Sequence, residues 1–249
     1  MIKNYSFILP IFNQDKKICK NLIVLNNKLH NIKNINYEII AVDDGSSDDT
    51  WSKLKFIQNK LPKIKIFKNI QNLGKGYAIR QGITKIKKKS DYIIIIDSDL
   101  PYFNKIELII SKLVYHKLVI INRKHKKSRL VLKKLNFYIL ARYIAGNIFN
   151  LVIRLLGFTT LRDTQAGLKG FSAKYKNFMF MTKTNSFLYD VELMIIFQKK
   201  NIIPLSVPCT YIISKNSSIQ FYKFSLLKKI LFDFFVITYS FYFGKYNKL

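Results

Sequence analysis

The chain has 249 residues, 49% of them hydrophobic, which suits one domain, or one domain with a membrane-facing appendage, and excludes general disorder. Lys and Arg total 43 against 14 Asp and Glu, a formal net charge of +29. That balance either concentrates anionic partners (nucleic acid, anionic lipid, phosphorylated substrates) or is the solvated surface of a Lys-, Ile- and Asn-rich chain. Cys19 and Cys209 form no disulfide framework, and His30, His116 and His125 no zinc-ligand spacing. They read as packing or surface residues in a reducing setting.

Met1 to Pro10 does not read as a signal peptide, because its apolar run is short and Pro10 ends it. Tyr5 to Phe12 reads as a buried strand. A helix follows over Lys16 to His30, with Ile18, Leu22, Leu25 and Leu29 at helical spacing. Glu38 to Val42 is the next strand. Asp48 to Lys60 is a helix with Ser46 or Ser47 as its expected N-cap. Ile64 to Phe67 is a short strand and Lys75 to Lys88 a helix. Tyr92 to Ile96 has the near-continuous apolar character of a central parallel strand. Phe103 to Tyr115 reads as a helix and Leu118 to Ile121 as a strand. Strands alternating with helices predict an α/β fold, a mostly parallel sheet flanked by helices.

Beyond Asn122 the composition changes. Arg123 to Arg129 is a basic loop, and a helical stretch follows to Leu156. A polar segment runs from about Asp163 to Gly170, then a helix over Tyr189 to Lys199 and a strand over Ile202 to Val207, where Pro204 and Pro208 suggest an edge. Phe137 to Leu156 is interrupted by Arg142, Asn147, Asn150 and Arg154, and Ser225 to Phe243 by Lys228, Lys229 and Asp233. Both are too polar to span a bilayer and suit helices lying on its surface. The expected organisation is one domain over residues 1–215, with an interfacial helix near 133–156, and an amphipathic tail helix over 216–249. Surface-lying helices together with a reducing setting predict peripheral attachment to the cytoplasmic face of a membrane.

In open α/β sheets, ligands bind beyond the carboxyl ends of the strands. Polar residues recur there in this chain: Asp43 and Asp44 after the second strand, Asn72, Gly74 and Lys75 after the third, Asp97 and Asp99 after the fourth. Asp97 and Asp99 follow four isoleucines; an isolated Asp-x-Asp is more often a solvated strand end that caps a helix, but at this lip the pair points toward a hard divalent cation. Asp43 and Asp44 suit a base N–H and a ribose hydroxyl, or a plain turn. Asn72-x-Gly74-Lys75-Gly76 sets flexible backbone and a cation at a helix start, where anions bind, or is a glycine turn.

Together, Val42-Asp-Asp-Gly-Ser-Ser-Asp-Asp-Thr50, Asn72-Leu-Gly-Lys-Gly-Tyr-Ala-Ile-Arg-Gln-Gly82 and Ile96-Asp-Ser-Asp-Leu100 resemble the inverting glycosyltransferases of the large family with a GT-A (Rossmann-like) fold. Leu9-Pro10-Ile11-Phe12-Asn13 is similar to that family's opening strand. Arg162 to Phe171 and Phe187 to Leu193 resemble segments of the dolichyl-phosphate sugar synthases, nearest the glucosyl branch. The resemblance implies a nucleotide-diphosphate sugar as donor, a polyprenyl or dolichyl phosphate as acceptor, and Mg2+ or Mn2+ as cofactor.

By the same resemblance, Pro10, Asp43, Asp44, Asn72, Gly74, Lys75 and Asp97 belong to donor binding, and Asp97 and Asp99 to the metal. Asp99, Lys75 and Asp190 take the catalytic positions, and Arg123, Arg129, Asp163 and Gln165 the acceptor side. Two other readings stay open on residues alone. One is transfer to a sugar hydroxyl, with Asp190 as the base. The other is nucleic-acid binding, opposed by the clustered acids and by the lack of a recognised module.

Overall fold

The computed structural model describes residues 1–86, 89–131, 137–212 and 224–247. Six strands and four helices alternate through the first half: β1 (Lys3–Ile11), α1 (Ile18–His30), β2 (Ile35–Asp43), α2 (Thr50–Lys60), β3 (Ile64–Lys68), α3 (Lys75–Thr84), β4 (Tyr92–Ile96), α4 (Ile106–Leu113), β5 (Leu118–Asn122) and β6 (Arg129–Val131). The second half adds α5 (Phe137–Leu155), β7 (Leu168–Ser172), α6 (Phe178–Met181), α7 (Tyr189–Lys199), β8 (Leu205–Pro208), β9 (Thr210–Ile212) and α8 (Phe224–Tyr242). The main sheet runs β3-β2-β1-β4-β7-β5-β8, and β6 pairs with β9 beside it. All its pairings are parallel except those of β7, which lies antiparallel between β4 and β5.

Alternate strand residues face opposite sides of a sheet, and both sides here are covered. Phe7, Leu9, Ile39, Ala41, Ile94 and Ile96 pack under α1, α2 and α4. Ile8, Ile40, Val42, Ile93 and Ile95 pack under α3 and α7. That double burial is why the strands read as apolar runs. Pro10, which lacks an N–H, is accommodated in central β1 because the β4 ladder stops at Ile8, two residues earlier.

The structure departs from the sequence expectations at particular places. The segment expected to be polar up to Gly170 contains the start of β7. Its pattern is broken by Lys169, which is buried, and by Gly170, where a Cβ would lie 2.6 Å from Leu113 on α4. Neither Ser46 nor Ser47 caps α2, which begins at Thr50 with no side-chain cap. Instead Ser46 Oγ accepts the Asn13 N–H, and the Ser47 N–H donates to Asn13 Oδ1, tying the two strand ends together. The helix expected from Phe103 begins as a 3-10 turn and becomes α-helical at Ile106. The start of the expected helix at 133–136 and the expected boundary near 215 lie outside the described residues.

α5 and α8 pack on each other through Phe158, whose ring meets Phe234, Phe241 and Tyr242, while Phe149 meets Phe234 edge-on. Ile237 and Tyr246 join the core on the α7 side. Outward, α5 exposes Phe137, Leu140, Ile144, Ile148, Leu151 and Leu155, and α8 exposes Leu231, Phe232, Phe235, Tyr239 and Tyr242. Among the described residues, no helix is long and apolar enough to cross a membrane. Truncating the buried Phe158 to alanine is expected to cost about 3–5 kcal/mol, measured by urea unfolding. An unchanged midpoint would mean that α8 is held by other contacts.

Candidate functional site

The carboxyl ends of β1, β2 and β4 share one edge because the strands are parallel, and the sequence places its acids there. Asp43 closes β2 opposite Ile11 of β1. Its Oδ1 accepts the Ser46 N–H at 3.0 Å, and its Oδ2 is buried with no hydrogen-bond partner among the described residues. A buried, unanswered carboxylate oxygen suits a ligand donor such as a base N–H. Asp44 does different work. Its oxygens accept the Asn69 side chain at 2.8 Å and the backbone N–H groups of Leu73 and Gly74 at 3.2 and 2.7 Å. It therefore shapes the Asn72–Gly74 loop and has little left to offer a ribose.

Gly74 has φ +103°, and a Cβ there would stand 2.4 Å from the Asn185 carbonyl oxygen. The Gly76 N–H donates to that same oxygen at 2.8 Å. The Gly74 and Gly76 N–H groups at the start of α3 are thus already engaged, and the Lys75 ammonium is the charge an anion would meet there. Asn72 is exposed at the loop tip. The Thr182–Asn185 segment that faces α3 is pinned from two sides. Arg80 donates to Thr182, to the Thr184 carbonyl and to the Asn185 side chain, and buried Glu192 accepts from Lys183, Thr184 and the Tyr246 hydroxyl.

Lys75 reaches across the site. Its Nζ lies 2.6 Å from Asp97 Oδ1 and 3.4 Å from Asp190 Oδ2. The other Asp190 oxygen pairs with the ammonium of Lys169, which also donates to the Thr164 carbonyl at 3.2 Å. The Tyr189 ring lies 5.6 and 5.8 Å from the two ammonium groups. Burial works against the Lys75 charge, but Asp190 and Asp97 outweigh it and raise its pKa. For Lys169 burial dominates and the pKa falls. Both Asp190 oxygens are taken by ammonium groups, an arrangement suited to holding Lys75 and ill suited to accepting a proton.

Asp97 sits where it does because residue 167 is glycine. A Cβ there would lie 2.3 Å from Asp97 Oδ2, and the Gly167 carbonyl accepts the Asp97 N–H at 2.9 Å. Asp99 follows, and the protein around it and the Asp97 carboxylate raise its pKa. Leu100 and Tyr102 then take left-handed backbone, φ 51° and 61°, a strained turn of the kind that gathers at functional sites. Asp97 and Asp99 are carboxylates that could hold a divalent cation, leaving positions for phosphate oxygens and water. Among the described residues, no three His, Cys, Asp or Glu cluster as a complete protein cage.

Of the residues expected to meet the acceptor, Asp163 and Arg123 bind each other. Asp163 Oδ2 accepts the Arg123 N–H and Nε–H at 2.8 Å, and Oδ1 accepts Nη2 at 2.6 Å. Gln165 donates its backbone N–H to Asp163 Oδ1, and its Nε2 is buried without a partner among the described residues. Arg129 stands apart on β6, where it lines a separate cavity with Lys105 and Lys127. Sequence reasoning assigned no role to Lys169, Arg80, Glu192 or Gly167. The signal for Lys169 was a lysine between the apolar Leu168 and Phe171.

Burial alone would raise the Asp163 pKa, but the Arg123 hydrogen bonds and charge hold it below the ordinary 3.8. A depressed carboxylate contributes stability above its unfolded pKa and loses it as pH falls through the folded value. Asp163→Asn is therefore expected to cost about 3–5 kcal/mol at neutral pH and to flatten the stability profile below pH ~4. Unfolding titrations from neutral pH downward read both effects. A variant as stable as the parent, with the same acid slope, would contradict the pairing.

The sequence profile of Glycosyl transferase family 2 matches residues 6–180. A dolichyl-phosphate beta-glucosyltransferase of Dictyostelium discoideum is 30% identical over 210 residues, covering 79% of this chain and 63% of that protein. The Homo sapiens dolichyl-phosphate beta-glucosyltransferase is 28% identical over 212 residues, with the same shares of 79% and 63%. The chain thus spans a little under two thirds of the length of these relatives. Glucosyl-3-phosphoglycerate synthase from Mycobacterium tuberculosis, solved with Mg2+ and uridine-diphosphate, superposes with a TM-score of 0.62 at 15% identity, covering 93% of this chain and 79% of that one. That likeness concerns the fold, a GT-A-like mixed and mostly parallel sheet flanked by helices. With the profile matched across β1 to α6 and the strand-end acids on one edge, the chain belongs to glycosyl transferase family 2.

Proposed function

We propose that this glycosyltransferase moves a hexose, with glucose the first candidate, from a nucleoside-diphosphate sugar to a polyprenyl or dolichyl phosphate at a membrane surface. The observation that carries the reading is the strand-end constellation of Asp43, Asp97, Asp99 and Lys75, in which Gly167 leaves room for Asp97 and Asp190 holds Lys75. The acceptor class is supported by the curated relatives, which are dolichyl-phosphate beta-glucosyltransferases. Attachment to a membrane face is supported by the unpartnered apolar faces of α5 and α8 and by the net charge of +29.

In this reading the buried Asp43 oxygen receives the base, and Asp97 and Asp99 are the residues that would hold Mg2+ or Mn2+. The cation supplies charge stabilisation for the leaving group. Lys75, steered by Asp97 and Asp190, adds its charge on the same side. An acceptor phosphate oxygen attacks the anomeric carbon, forming the new C–O bond as the bond to the diphosphate breaks. The attack comes from the face opposite the leaving group, so the anomeric configuration inverts. A phosphate is already ionised at neutral pH, so no strong base is needed, in keeping with an Asp190 whose oxygens are occupied. Lys105, Lys127 and Arg129, which line one cavity, offer cations to the acceptor's charge.

The test is a transfer assay with purified protein, Mn2+ or Mg2+, a polyprenyl phosphate in detergent, and UDP-glucose, UDP-GlcNAc and GDP-mannose in parallel. Metal-dependent glycolipid from one donor is expected, and Asp99→Ala should reduce it at least ~100-fold with an unchanged unfolding midpoint. Product formed only on a sugar hydroxyl acceptor would replace the lipid reading. Full Asp99→Ala activity in excess metal would remove Asp99 from the metal site.

A further inference from the structure

The cations that the sequence motifs bring to the active edge are already paired: Lys75, Arg123 and Lys169 all sit in ion pairs. A further cation reaches that edge from a distant part of the chain. Lys229 lies in the second turn of α8, where the sequence alone shows only a polar interruption of an apolar helix. A Cβ on Gly74 would lie 3.4 Å from the Lys229 Nζ, at the same glycine that must also clear the Asn185 carbonyl oxygen. The ammonium therefore stands against the Asn72–Gly74 loop that leads into Lys75. We propose that Lys229 is a donor-binding residue: its ammonium meets the diphosphate of the nucleoside-diphosphate sugar, so that α8 forms part of the donor site.

Lys229 is exposed, and among the described residues no carboxylate lies within ion-pair distance of it. An acid does stand one turn further along α8. Asp233 is buried, and its Oδ2 has no hydrogen-bond partner among the described residues. Residues four apart on a helix are neighbours, yet Lys229 is turned to the glycine loop and leaves Asp233 unpaired. Lys75, by contrast, is held by two acids. A diphosphate that meets Lys229 breaks no ion pair, and its charge lies between two ammonium groups, Lys75 inside the site and Lys229 at its rim. The Leu73, Gly74 and Gly76 N–H groups are engaged within the protein, and these two ammonium groups are the charges an anion would meet beside them.

The helix that carries Lys229 is fixed to the same loops at its other end. Tyr246, just beyond α8, is buried, and its hydroxyl donates to Glu192 Oε1 at 2.7 Å. Glu192 in turn accepts the Lys183 and Thr184 N–H groups at 2.7 and 2.9 Å. The next residue, Asn185, accepts the Gly76 N–H at 2.8 Å and crowds Gly74. The Asn247 carbonyl accepts the Lys200 ammonium at 3.3 Å, and Ile237 of α8 packs into the core between the two ends. The segment that lines the start of α3 is thus bonded to the tail of α8, and Lys229 is placed before a ligand arrives. Such placement reduces the freedom lost on binding. The assignment rests on the proposed donor class and adds to it a residue some 150 positions away from the glycine loop.

The full chain with Mn2+ is titrated by calorimetry with UDP, GDP and the matching nucleosides uridine and guanosine. Whichever nucleotide the parent binds more tightly is expected to bind about ten-fold more weakly to Lys229→Gln. Its affinity should also fall less steeply as salt is added, while nucleoside binding stays as in the parent. Lys229→Arg, which keeps the charge, should retain most of the affinity and serves if the glutamine variant fails to fold. Lys33→Gln removes the same charge beside the amino end of β2, at the opposite edge of the sheet, and should bind as the parent does. Unchanged nucleotide affinity in Lys229→Gln, an equal loss in Lys33→Gln, or an equal loss for the nucleoside overturns the proposal. Transfer is scored separately. A Lys229→Gln enzyme with an unchanged donor KM and a raised acceptor KM overturns the donor assignment and spares the function. Lys229-dependent nucleotide binding with no transfer to a polyprenyl phosphate overturns the proposed function and spares Lys229. A parent that binds neither nucleotide overturns the donor class and the proposal with it.

Discussion

The ion pair between Asp190 and Lys169, both buried, underlies the rest of the site. Two charges taken out of water are tolerated only when geometry and further hydrogen bonds compensate them. Here compensation extends into a chain of alternating sign, Lys169, Asp190, Lys75 and Asp97, with the Tyr189 ring beneath both ammonium groups. Removing one member leaves its neighbour charged and buried, which costs about 3–5 kcal/mol in such pairs. The chain also transmits position. Lys169 is anchored in β7, Asp190 in α7, Lys75 at the start of α3 and Asp97 at the end of β4, so four elements meet through charges. The loop that Glu192 and Arg80 pin against α3 keeps Lys75 within reach of both acids.

Much of this could be read in the sequence, because strand burial on both faces leaves continuous apolar runs. Tyr92 to Ile96 is the clearest, and it delivers Asp97 to the edge where parallel strands end. The Asp43 position was legible for the same reason. What could not be read was pairing at a distance. Asp44 and Asp43 are chain neighbours with the same chemistry, yet one grips a loop and the other keeps a free oxygen. Asp163 and Arg123, both expected to face the acceptor, are 40 residues apart and satisfy each other. Strand β7 hid because its antiparallel course, buried over its first four residues, carries a lysine and a glycine, residues that depress strand propensity until the partners Asp190 and Leu113 are known.

The second half of the molecule obeys a different constraint. α5 and α8 have helical apolar periodicity on more than one side, but the body of the fold covers only one. Phe149, Phe158 and Phe234 use the covered side to lock the helices together. The remaining apolar faces stay in contact with water, where a patch of this kind marks an interaction surface. Polar interruptions such as Asn147, Asn150 and Arg154, which argued against a membrane span, gather instead around a cationic hollow. One helix thus carries a packed face, an apolar outer face and a cationic border between them.

The central claim is that the strand-end acids and Lys75 form one site for a metal-bound nucleoside diphosphate. Its most direct test is a crystal structure with uridine diphosphate and Mn2+, using the anomalous signal of manganese to locate the ion. The Mn2+ peak is expected at coordinating distance from Asp97 and Asp99, the base against Asp43, and the Lys75 ammonium turned toward the diphosphate. A nucleotide bound with its metal away from Asp97 and Asp99, or with Lys75 still closed on Asp97 and remote from the phosphates, would contradict it.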